Sequence, residues 1–98
     1  MNKSGSRSRE TAEIVAIQAL AFIAEEPERM AAFLSATGIE AATIRDAARA
    51  PDLLVGVLEH MLGDESLLIA FADSAAIDPA EIARARHALG GSWDRDLP

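Results

Sequence analysis

Residues 51–63 read PDLLVGVLEHMLG, and this stretch decides the fold. Pro51 lacks a backbone amide to donate, so it fits the first turn of a helix, and Gly63 fits the end of one. Between them Leu53, Leu54, Val57, Leu58, Met61 and Leu62 recur at the spacing that lines one side of a helix. Such a stripe has to be buried against other elements, and the composition supplies helices. Ala, Leu, Glu and Arg are abundant, whereas β-branched and aromatic residues are sparse. With aromatics at 4%, the core must be aliphatic and rich in alanine, as close helix packing permits.

Downstream, Asp64 can cap a fifth helix whose Leu67, Leu68 and Phe71 face inward. Asp78-Pro79-Ala80-Glu81 then reads as a sixth helix start, with the aspartate capping, the proline in the first turn and the glutamate reaching back. Ile82, Ala85 and Leu89 line its buried side until Gly90-Gly91 release the chain. Upstream, a first helix is expected from about Ser8–Thr11 to Glu25. Its run Ile14–Ala24, IVAIQALAFIA, is apolar on nearly every side, so it should be central. Pro27 opens a second helix that Gly38 stops, with Ile39 folding back onto Leu34. A third runs from Glu40 to Arg49 with Ile44, Ala47 and Ala48 inward.

The reading is therefore all-α: a compact single-domain bundle of about six short helices, stabilised by a shared core because each is marginal alone. Residues 1–8, MNKSGSRS, are expected to be a disordered arm, 9–91 the helical domain and 92–98 a C-terminal tail. A shift of 38 residues lays the first three helices on the last three, bringing Leu20 onto Leu58, Phe33 onto Phe71, Ile39 onto Ile77 and Ile44 onto Ile82. Either a three-helix duplication or chance matching in an alanine-rich chain accounts for this.

Charge narrows the functions. The first nine residues hold Lys3, Arg7 and Arg9 and no acid, while residues 10–93 hold fourteen acids against five arginines. An acidic body repels nucleic acid and anionic lipid. The absence of cysteine removes disulfides, thiolate nucleophiles and cysteine-ligated zinc. The Ile14–Ala24 run fails as a signal peptide, because Glu10, Glu13 and Gln18 intrude, and is too short to span a bilayer. The expected location is cytoplasmic.

No catalytic, cofactor-binding or metal-ligating constellation emerges, and the chain reads as non-enzymatic, without cofactor. His60 falls beside the stripe of residues 51–62 and reads as a structural rim histidine. His87, near the close of the sixth helix, suits that helix's negative end. The carboxylates gather at helix starts, where capping explains them. Two groups of residues are candidate partner contacts. In FLSATGIEAATIRDAAR, residues 33–49, a glycine turn and Arg45 and Arg49 superficially resemble a helix-turn-helix, but Glu40 and Asp46 share the helix and a core helix pair is expected instead. In GGSWDRDLP, residues 90–98, Trp93 either folds back onto an apolar strip or, with Leu97, anchors a partner.

Three segments, ALAFIAEEPERMAAFLSATGI, VLEHMLGDESLLIAF and IDPAEIARARHALGG, in that order and spacing, resemble a family of short alphaproteobacterial proteins catalogued as domain of unknown function thirty-five seventy-two. The resemblance implies a cytoplasmic helical domain and transfers no activity or site residue. With helix one apolar nearly all round and helix four broadly striped, apolar surface exceeds what so small a domain can cover. Recognition of a protein partner, or a homodimer, is the expected use. A helix-turn-helix-like nucleic-acid binder and a carrier of a small apolar ligand are the alternatives.

Overall fold

The computed structural model describes residues 3–46 and 50–94, with side chains over 8–46, at Ala50 and over 52–89. Its elements are α1 (Lys3–Ala24), α2 (Pro27–Thr37), α3 (Ala41–Asp46), α4 (Pro51–Leu62), α5 (Glu65–Ala75) and α6 (Pro79–Asp94). The chain is an all-helical single-domain bundle. Most helix boundaries follow from the capping residues. Gly38 takes the left-handed conformation, φ 75°, and donates its amide to the Leu34 carbonyl at 2.8 Å. Asp64 Oδ1 accepts from the Leu67 amide at 3.2 Å, and Asp78 Oδ1 accepts from the Ala80 amide at 2.9 Å.

Several boundaries differ from the sequence expectation. Helix α1 already begins at Lys3, inside the stretch expected to be a disordered arm, so Glu10 and Glu13 lie in its body and not at its positive end. Once nucleated, a helix gains a hydrogen bond for each residue added, and nothing before Ser8 is a proline. Likewise α6 runs through Gly90-Gly91 to Asp94, because two glycines cost only about 1 kcal/mol each in a helix. Trp93 is thus in the last turn of a helix and not in a tail, and His87 lies well inside α6, beyond reach of its negative end. Helix α3 spans six residues; Ala47, Ala48 and Arg49 fall outside the described residues. Glu81 does not reach back to Asp78 but pairs with Arg84 at 2.7 Å.

Helix α1 holds the core together. Its inward face, Ala12, Val15, Ala16, Ala19, Leu20, Phe22 and Ile23, is buried, and the helix packs against α2, α4, α5 and α6. Three of those positions are alanines at 1% exposure or less, which lets neighbouring backbones approach. Opposite them stand Leu53, Leu54, Val57, Leu58 and Met61 of α4, Phe33 of α2, Phe71 and Ala72 of α5, and Ile82, Ala85 and Leu89 of α6. Leu62, Leu67, Leu68 and Ile44 are only partly buried and pack at the margin. Among the described residues every buried side chain is apolar.

Structural boundaries repeat with the 38-residue period seen in the sequence. Helices α2 and α5 are both 11 residues long and begin at Pro27 and Glu65, while α1 and α4 end at Ala24 and Leu62. Ala76, the counterpart of Gly38, is also left-handed, φ 60°. Aromatic contacts repeat with exchanged partners. Phe22 of α1 meets Phe71 of α5 at 5.6 Å between ring centroids, and His60 of α4, the counterpart of Phe22, meets Phe33 of α2, the counterpart of Phe71, at 5.2 Å. That exchange is what a twofold relation between halves produces. Helix α6, the counterpart of α3 in that register, has 16 residues and packs against both α1 and α4.

An L-residue pays about 1–2 kcal/mol in the left-handed region, and glycine gives back about 0.5–1 kcal/mol through chain entropy. Ala76→Gly should therefore stabilise the fold by roughly 0.5–1 kcal/mol, read as a higher urea midpoint at unchanged slope; a lower midpoint would contradict this. Ala19, at 0% exposure, has no room for added carbons. Ala19→Leu should cost about 1–3 kcal/mol in the same assay, whereas Ala83→Leu, at an exposed site on α6, should stay within about 0.5 kcal/mol.

Candidate functional site

The outward face of α1 is where the buried pattern leaves something over. Because Ala12, Val15, Ala16, Ala19, Leu20 and Ile23 point into the core, the 3.6-residue period turns Glu10, Ile14, Gln18 and Ala21 outward, and all four are exposed. Ile14 is 56% exposed. With Ile17, Glu10, Glu13 and Gln18 it lines a shallow groove of about 350 Å³, open to solvent. Two carboxylates, Glu10 and Glu13, are among its lining, and Glu25 and Glu26, in the turn after α1, are exposed. A second exposed isoleucine, Ile69 at 52%, lies on α5.

A shift of 38 residues sets this face of α1 beside a face of α4, where Asp52 stands at the position of Ile14 and is likewise exposed. Ile17, Ala21 and Ala24 of α1 correspond to Val55, Glu59 and Leu62 of α4, which share one side of that helix. Helix α6 meets that side through Arg86, whose Nε and Nη2 donate to Glu59 Oε2 at 3.1 and 2.7 Å.

Local cations are largely committed elsewhere. Arg29 stacks over the Phe22 ring at 4.0 Å and donates to the Phe22 carbonyl at 3.2 Å, while Arg84 and Arg86 hold Glu81 and Glu59. Arg9 is exposed on α1. Among the described residues no group of three or more His, Cys, Asp or Glu is placed to hold a metal ion. His60 is half-buried, edge-on to Phe33, in the structural role expected of it, and His87 is exposed.

The sequence candidates do not converge on one site. Arg45 is exposed on the short helix α3, and Arg49 and Leu97 lie outside the described residues. Trp93 belongs to the last turn of α6. The α1 groove was legible only as a general excess of apolar surface on the first helix. Its specific signal is Ile14 standing four residues from both Glu10 and Gln18, an apolar residue aligned with polar ones. Among the described residues no helix is long and apolar enough to cross a membrane.

Neither the curated proteins nor the solved structures contain a match to the chain. Residues 9–92 do match a family model, which takes in α2 to α5 whole and most of α1 and α6, and the chain belongs to the family described as Protein of unknown function (DUF3572).

Proposed function

We propose that this domain is a protein-recognition module whose contact surface is the outward face of α1. The observation that carries the reading is the exposure of Ile14 on an open surface that it lines with Glu10, Glu13, Ile17 and Gln18. Apolar side chains at the centre of a patch with charged residues at its rim are the arrangement of protein interfaces. The module acts in the cytoplasm of a bacterial cell, a setting that fits the lack of cysteine and the family resemblance. It works by binding and carries out no reaction of its own.

The alternatives draw less support from the geometry. A carrier for a small apolar molecule calls for enclosure, and this groove is open with two carboxylates beside it. A nucleic-acid contact calls for clustered free cations, and three of the described arginines are already engaged within the fold.

Because the chain has no cysteine, a benzophenone can be placed at single sites through Ile14→Cys or, as a control on an exposed site of α5, Asp73→Cys. Irradiated in extract of the source cell, the probe at position 14 should give discrete protein adducts that the probe at position 73 does not. Equal, diffuse labelling at both positions would refute the recognition surface.

A further inference from the structure

We infer that the occupant of the α1 groove is the α1 helix of a second copy of this chain, laid antiparallel across a twofold axis. The inference rests on the reading of this face as a recognition surface. Charge along the helix carries it. The first nine residues hold Lys3, Arg7 and Arg9 and no acid, whereas Glu25, Glu26 and Glu28 follow the other end of α1. Two such helices running antiparallel set each basic start beside the partner's acidic end, and a parallel arrangement would set like charges together.

The same direction fits the middle of the groove. An antiparallel register centred between Val15 and Ala16 places Ile14 opposite Ile17 of the other copy and Glu13 opposite Gln18. The isoleucines then shield one another, and the Gln18 amide can donate to the Glu13 carboxylate across the interface, twice by symmetry. Glu10 falls opposite Ala21. The exposed Ile14 is covered on both copies at once, which an isologous pairing requires.

The experiment is sedimentation and light scattering of the full chain over a wide concentration range, with variants. A mass twice the 10.4 kDa of one chain is expected. Ile14→Glu should weaken the dimer at least about tenfold while leaving the urea midpoint of diluted protein unchanged, since the side chain is exposed. Arg9→Glu and Glu25→Arg should each weaken it about threefold or more, and the double exchange should restore it. A single-chain mass up to roughly 1 mM would overturn the inference. So would a doubled mass indifferent to Ile14→Glu, which would place the contact elsewhere, or single exchanges whose combination restores nothing. A strictly monomeric chain whose position 14 still cross-links a different protein would overturn the second copy and leave the recognition surface standing.

Discussion

Burial of the inner face of α1 is the interaction on which the rest of the bundle depends. The other helices are short. Segments of 6 to 16 residues form little stable helix in water, so each must be held by contact with something already ordered. That support is α1, at 22 residues the longest helix, packed against α2, α4, α5 and α6. Its alanines decide the geometry. Ala12, Ala16 and Ala19 carry almost no side-chain entropy to lose and let neighbouring helices approach closely, while Phe22 and Ile23 fill the space at the C-terminal end.

The two aromatic pairs show how the halves interlock. Phe22 on α1 reaches into the second half to Phe71, and His60 on α4 reaches into the first half to Phe33. Neither half encloses its own phenylalanine, so the core belongs to the whole chain, as expected for one cooperative unit. Outside that interlocked core, Ile14 on α1 is left exposed.

Much of this was legible in the residues because backbone constraints are local. Pro27, Gly38, Pro51, Asp64 and Asp78 act through their own amides, rings or side-chain oxygens, and each marks a helix boundary close to where the sequence places it. The stripe of α4 was legible for the same reason, since residues three and four apart share a face whatever surrounds them. Ala76 left no such signal: its left-handed conformation is imposed by the turn between α5 and α6 and not by its own side chain. Gly90-Gly91 misled in the opposite direction, because glycine permits a helix end without enforcing one. The groove lay beyond local reasoning. Whether Ile14 is covered depends on how the other helices pack around α1, and composition indicates only that some apolar surface is left over.

Native-state hydrogen exchange tests the central place of α1 most directly, because it resolves stability helix by helix. If α1 is the support on which the others assemble, the amides of Ala16 to Ile23 exchange only through global unfolding, together with those of α4, and are the slowest in the chain. Amides of α1 that exchange through smaller openings, while α5 and α6 remain protected, would contradict the account.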